Sequence, residues 1–265
     1  MKKKNIANNL ILTIISFYLV IPLLLTFLYS AFNEWTGILP TNFTIKYYIE
    51  IFSDPVFLES LGRSLFISIF PVVICTISMI LVLYVTTLYC PKLEKVVENL
   101  CTIPYAIQGV ILAVGIISLY SGIEGPLSNR FVLLVGAYCI VVLPYVYRGL
   151  KNSLNTIHVK YLIEAAQMLG ASKFYAFIKV ILPNMVSGII VSMMLSLSII
   201  FGDFVIVNII GGSYYQTASI YLYKVMSKSG QMTSAVIVIL FLTTLLLSTI
   251  VLVLEEKSSI KKEIV

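Results

Sequence analysis

Few polar side chains interrupt this 265-residue chain, and those few limit the chemistry it can do. Asp203 is the one carboxylate deep in an apolar run, in SIIFGDFVIVNIIGG. An ionised side chain at bilayer depth costs about 3 kcal/mol, so it is expected to face a bundle interior or water. Two readings stand for it: a residue on a solute pathway, or a hydrogen-bonded acid beside a break at Gly202. Gln108, Tyr138, Tyr145 and Asn208 are further polar groups in apolar runs, candidates for the same pathway or for interhelical hydrogen bonds. Glu164 and Gln167 flank Ala165-Ala166, where small side chains leave room for a partner surface and polar ones can bond to it. Catalysis has no comparable support. No G-x-x-x-x-G-K-[ST] occurs, so no loop of this kind cradles ATP phosphates. The single histidine, His158, precedes the Glu164 segment and suits a structural role at an interface. Cys75, Cys90, Cys101 and Cys139 form no C-x-x-C pair and lie in or beside apolar runs, the pattern of buried structural thiols rather than metal ligands. Neither a cofactor nor a metal is expected.

The element that presents Glu164 is the stretch Tyr161 to Pro183, YLIEAAQMLGASKFYAFIKVILP. Leu162, Ala165, Ala166 and Leu169 fall at i, i+3, i+4 and i+7, one stripe of a short amphipathic helix. Gly170 can stop that helix in the left-handed conformation. Pro183 can sit in the first turn of a following apolar helix, where its missing N–H is not needed. Glu164-Ala165-Ala166, Gly170 three residues after Gln167, and Leu182-Pro183 together resemble the EAA loop of binding-protein-dependent ABC importer permeases. Val180 stands where that family pattern has Ile, a conservative departure.

Composition sets the environment. The chain is 59% hydrophobic and 11% charged, with a mean hydropathy of +1.01. A soluble domain carries about a quarter charged residues, so this chain is built to face lipid. Its net charge of +6 could suggest nucleic acid, but the lysines and arginines sit between apolar segments, the topology signal of membrane proteins. No nucleic-acid partner is expected.

Read in order, the chain is one all-α integral membrane domain, 1–265, with six spans at about 10–32, 64–89, 100–120, 131–147, 182–210 and 233–254, and a coupling loop at about 157–181. About 20 apolar residues cross the hydrocarbon, and the first run exceeds the core of a signal peptide. Residues 33–63 form the longest polar stretch, with Trp35, Tyr47 and Tyr48 as interface anchors and short amphipathic helices on the bilayer surface. Glu59 and Arg63 mark the outer edge of the second span. With the N-terminus inside, 13 lysines and arginines fall on the inner side and 5 on the outer, supporting N-in, C-in and a cytoplasmic loop. Pro22, Pro71, Pro104 and Pro144 fall within four spans, and such breaks favour a bundle with a cavity over a plain anchor.

The resemblance implies the machinery: a bacterial inner-membrane permease subunit, not itself an enzyme. Two ABC ATPase subunits, a second permease (a different chain rather than a copy) and an extracytoplasmic substrate-binding protein would complete the transporter. Glu164, Ala165, Ala166, Gly170, Leu182 and Pro183 are the residues it carries over for ATPase coupling. The loop helix would dock on an ATPase subunit, whose closure would move the spans between inward- and outward-open states. YSAFNEW before the long polar stretch, Arg63-Ser64-Leu65 and Gly202-Asp203-Phe204 are similar to the permease group serving spermidine/putrescine, ferric iron, thiamine and aminoethylphosphonate. An acid in the fifth span suits a cation, so a polyamine is the expected solute, ahead of the other three. A secondary transporter driven by an ion gradient is the rival of another class; it would be expected to show paired discontinuous helices in inverted halves, and no internal repeat is evident.

Overall fold

Within hydrocarbon no water satisfies the backbone, so apolar runs of spanning length must close their own hydrogen bonds as helices. The computed structural model describes residues 2–34, 40–107, 109–120, 122, 125–212 and 214–263. Helix α1 (Lys2–Ser30) leads into a two-stranded antiparallel hairpin, β1 (Phe32–Glu34) and β2 (Thr41–Phe43), in register Phe32↔Phe43. Helix α2 (Lys46–Ser53) is followed by the long α3 (Pro55–Leu88). A turn of 3-10 helix at Pro91–Leu93, α4 (Glu94–Thr102), a second 3-10 turn at Ile103–Ala106 and α5 (Gly109–Tyr120) come next. Then follow α6 (Arg130–Asn155), α7 (Val159–Met168), α8 (Lys173–Ala176), a π turn (Phe177–Ile181), α9 (Leu182–Asn184) and α10 (Val186–Phe201). A further π turn (Val207–Gly211), α11 (Ala218–Met226) and α12 (Gly230–Glu263) complete the chain.

Among the described residues, four helical stretches are long and apolar enough to cross a membrane: Ile11–Ser30, Pro55–Leu88, Arg130–Asn155 and Gly230–Val253. The count is up to six if two bent pairs are each one span. The first bend has a local cause. Around Pro104, which has no N–H to donate, the helix tightens to 3-10 and Ile107 turns extended (ψ 111°), so Pro91–Ala106 and Gly109–Tyr120 meet at 100°. The expected third span, 100–120, is therefore not one straight helix. The expected fifth span, 182–210, is also divided: Lys173–Asn184 and Val186–Phe201 meet at 66°, and a second break follows at Gly202-Asp203.

Other expectations shift by a few turns. Asp54 caps α3, its Oδ1 accepting the Val56 N–H at 2.9 Å, so the second long helix starts at Pro55 and takes Glu59 and Arg63 into its first turns. Trp35 lies outside the described residues. The hairpin was not legible in advance, because strands of three residues carry too little periodicity. Cys75 and Cys101 are buried and Cys139 half-buried, but Cys90 is exposed beyond the end of α3.

The chain divides into two compact units. The first comprises residues 1–60 and 220–243. In it the Tyr221 hydroxyl donates to Asp54 Oδ2 at 2.8 Å, beside the buried ring of Phe57 at 5.2 Å. Burial, with the Asp54 bond second, pushes the Tyr221 phenol up, so it remains a donor at physiological pH. Ser30 Oγ and the Tyr48 hydroxyl meet at 2.6 Å.

The second unit comprises residues 61–219 and 244–265 and is centred on α6, whose Leu134, Ala137, Tyr138, Val142, Val146 and Leu150 are buried. Between α6 and α10 the contact is made by small residues: Gly149 and Ser153 on one helix, Gly188, Ser192 and Ser196 on the other. Lipid gives no hydrophobic gain to helix association, so backbones must come close enough for dispersion contacts. A methyl group added at Gly149 would overlap Ser192, and one at Gly188 would overlap Ser153. The two serines keep their hydroxyls satisfied within α10, Ser192 donating to the Gly188 carbonyl and Ser196 to the Ser192 carbonyl.

Candidate functional site

The segment between α6 and α10 begins with two short helices, α7 and α8, joined through Leu169-Gly170-Ala171-Ser172, and continues through the π turn and α9. Helix α7 opens with the Leu162 N–H donating to the His158 carbonyl at 3.1 Å. It closes with a pair of bonds: Gly170 N–H to the Gln167 carbonyl at 2.9 Å, and Ala171 N–H to the Ala166 carbonyl at 3.1 Å. That is a Schellman closure, which requires a left-handed residue, and Gly170 has φ +83°. Two residues later Ser172 restarts the chain as α8, its Oγ accepting the Tyr175 N–H at 3.2 Å.

The face that α7 turns inward differs from the stripe read off the sequence. Val159 and Ile163 are 8% and 4% exposed and Ala166 is half-buried, whereas Leu169 is 89% exposed. The helix ends at Met168, so the i+7 extrapolation to Leu169 runs past its last turn. Glu164, Ala165 and Gln167 are exposed, together with Met168 at 90%. The result is a tip with two large apolar side chains, a carboxylate and small residues, all uncovered. His158 is exposed at the start of α7, with its ring 6.3 Å from that of Tyr161.

Both flanks of the loop are tied down. Upstream, Lys151 near the end of α6 forms an ion pair with Glu94 of α4. Downstream, Phe174 and the buried Phe177 sit edge-on to Tyr84 of α3, at ring distances of 5.7 and 5.0 Å. Tyr84 also meets Tyr89, ring to ring at 5.5 Å and hydroxyl to hydroxyl at 3.1 Å, and Lys173 Nζ lies 5.4 Å over the Tyr89 ring. The π turn Phe177–Ile181 accommodates Pro183, and the Asn184 side-chain amide donates to the Val180 carbonyl at 2.8 Å. Leu182 is half-buried and Pro183 exposed in α9, at the end of the Lys173–Asn184 stretch and not in the first turn of the long apolar helix. The sequence reading missed this aromatic group, although Phe174 and Phe177 at i, i+3 share one helix face and signalled it.

Of the pathway candidates, Asp203 and Tyr138 meet, and Tyr145 lies elsewhere on α6. Asp203 Oδ2 accepts from the Tyr138 hydroxyl at 3.0 Å and from the Ile206 N–H at 2.9 Å, so the acid caps the helical turn that follows the break. Its carbonyl accepts from Ser219 Oγ at 2.9 Å. Asn208 is exposed on the same segment, five residues beyond. Tyr145 is half-buried elsewhere on α6, edge-on to Tyr105 at 5.2 Å, and the Arg148 guanidinium lies 5.0 Å over Tyr105. Gln108 lies outside the described residues. Because an asparagine keeps an acceptor for Ile206, Asp203→Asn is expected to preserve the thermal unfolding of the purified protein. Asp203→Ala should lose about 1 kcal/mol of capping and lower the melting temperature. Equal melting of the two variants would remove the capping role.

Four similarities frame this geometry. Residues 1–259 match a family model described as the binding-protein-dependent transport system inner membrane component. The spermidine/putrescine transport system permease protein PotC of Haemophilus influenzae is 23% identical over 219 residues, covering 83% of this chain and 84% of that protein. The putative 2-aminoethylphosphonate transport system permease protein PhnV of Salmonella paratyphi A is 27% identical over 198 residues, covering 73% and 71%. Among solved structures, a chain of a bacterial ABC transporter involved in the import of the acidic polysaccharide alginate superposes with a TM-score of 0.73 at 16% identity, covering 97% of this chain and 96% of that one.

Proposed function

The chain belongs to the family of binding-protein-dependent transport system inner membrane components, and from that membership we propose a division of labour around the loop. In this reading 1–265 is one permease domain of six spans, N-in and C-in in a bacterial inner membrane, and residues 157–181 face the cytoplasm. Each bent pair counts as one span. The tip of α7 docks on an ABC ATPase subunit, two of which serve a pair of different permease chains, and a binding protein delivers the solute from outside. Hydrolysis belongs to the ATPase subunits. Glu164, Ala165 and Ala166 form the docking surface, Gly170 sets the angle between α7 and α8, and Leu182 and Pro183 carry the movement into α10.

One observation carries the reading: α7 is held along Val159 and Ile163 while Met168 and Leu169, two large apolar residues, stand about nine-tenths exposed at its end. Uncovered apolar side chains rimmed by polar groups mark a partner surface. For the solute we propose a small amine-bearing compound, a polyamine ahead of aminoethylphosphonate, with ferric iron and thiamine as further alternatives. Support comes from the names of the two relatives rather than from Asp203, whose Oδ2 already holds Tyr138 and Ile206. The part proposed for Asp203 in the pathway is to hold the break that leaves Asn208 exposed.

The test is Glu164→Lys in a transporter reconstituted with its ATPase and binding proteins. Binding-protein-stimulated ATP hydrolysis and uptake are both expected to fall about tenfold or more, the effect of losing one charge-assisted contact of roughly 1.5–3 kcal/mol. Hydrolysis still stimulated to the original level would remove the docking role, and uptake driven by an ion gradient without ATP would favour a secondary transporter. Titration of the solutes into the binding protein identifies which one is carried.

A further inference from the structure

The geometry points to Tyr84 as a positioning residue that carries movement of the docking loop into α3 through side chains, in parallel with the backbone route into α10. The inference rests on the docking reading above. The backbone route is poorly suited to act alone. Between α8 and α10 it passes a π turn at Phe177–Ile181 and a 66° bend at Met185, two places where helical hydrogen bonding is irregular. A lateral push on α7 would in part be absorbed there. The side-chain route has no such break.

Tyr84 sits about one turn from the end of α3 and touches three rings: Phe174 and Phe177 of the segment after Gly170, and Tyr89 of its own chain end. All three contacts are edge-on, with interplanar angles of 80°, 62° and 68°. Edge-to-face pairs are directional, each adding about 0.5–1.5 kcal/mol beyond burial, so sliding one element past another weakens several at once. Phe177 is 3% exposed and anchors the group, while Lys173 over Tyr89 closes its outer side. A displacement of α8 must therefore move the end of α3 with it or break the cluster.

The experiment compares Tyr84→Ala with Tyr84→Phe in the complete reconstituted transporter, measuring solute taken up per ATP hydrolysed. Tyr84→Ala is expected to lower that ratio about two- to thirtyfold while the ATPase subunits still copurify, and Tyr84→Phe, which keeps the ring and loses only the hydroxyl contact to Tyr89, should restore it. An unchanged ratio in Tyr84→Ala overturns the inference. Should Tyr84→Ala fail to accumulate, Phe174→Leu, at a half-exposed ring, replaces it. A smaller fall in the same ratio is expected, and an unchanged ratio again overturns the proposal. A copy of the transporter carrying Glu164→Lys runs alongside. If Glu164→Lys is still stimulated, the docking reading fails; if it is inactive while Tyr84→Ala stays fully coupled, only the role of Tyr84 fails.

Discussion

Gly170→Val is expected to abolish solute uptake while the protein still inserts and accumulates in the membrane. The residue has φ +83°, and the bonds it permits, Gly170 to Gln167 and Ala171 to Ala166, turn the chain out of α7 and into the Ser172-capped start of α8. No atom lies within 4 Å of a Cβ built there, so the penalty is one of backbone conformation and not of crowding. A left-handed L-residue costs about 1–2 kcal/mol, and a β-branched one stands at the upper end. If relaxation into a right-handed conformation relieves the strain, the angle between α7 and α8 changes, and Met168 and Leu169 no longer face the same way. A shift of about 2 kcal/mol leaves only about one molecule in thirty in the docking geometry. Uptake into vesicles is the measurement. Gly170→Asn separates this cause from others, because asparagine tolerates the left-handed region and should retain most activity. Equal loss in the valine and asparagine variants would show that the φ angle is not the reason for glycine here.

The largest effect on stability is expected at Gly149. A valine there drives methyl groups into Ser192 Oγ and Cβ, and because a Cβ is fixed to its backbone, turning the hydroxyl aside leaves the Cβ overlap in place. Overpacking costs about 1–3 kcal/mol in a soluble core, and here α6 and α10 must separate along their whole small-residue seam. Gly149→Val is expected to lower the yield of detergent-extracted protein and its melting temperature, with Gly188→Val, which meets Ser153, doing the same. The compensating pair Gly149→Ala with Ser192→Gly should recover most of the loss of Gly149→Ala alone. A failure to recover would place the cost elsewhere than in the α6–α10 contact.

The sequence by itself determined the parts of this protein whose cause is local. Apolar length made Ile11–Ser30, Pro55–Leu88, Arg130–Asn155 and Gly230–Val253 helical, since each satisfies its own backbone whatever its neighbours do. The spacing Glu164-Ala165-Ala166 to Gly170 located a short helix and its left-handed stop, because a Schellman closure depends on six consecutive residues and on one that tolerates positive φ. What tertiary structure decided is everything that depends on which surfaces meet. Periodicity placed Leu169 in the α7 stripe, but only the packing of Val159 and Ile163 shows which face is inward and leaves Leu169 out. Asp203 stands out in the sequence as an acid in an apolar run, but only the fold brings it the hydroxyl of Tyr138, 65 positions away in the chain. Gly149 and Ser192, like Tyr84 and Phe174, are unremarkable as residue types and gain a role only from a contact across the fold. Hydrogen bonds that close within a few residues are written in local spacing; a methyl-sized gap or an edge-on ring exists only once two distant elements have met.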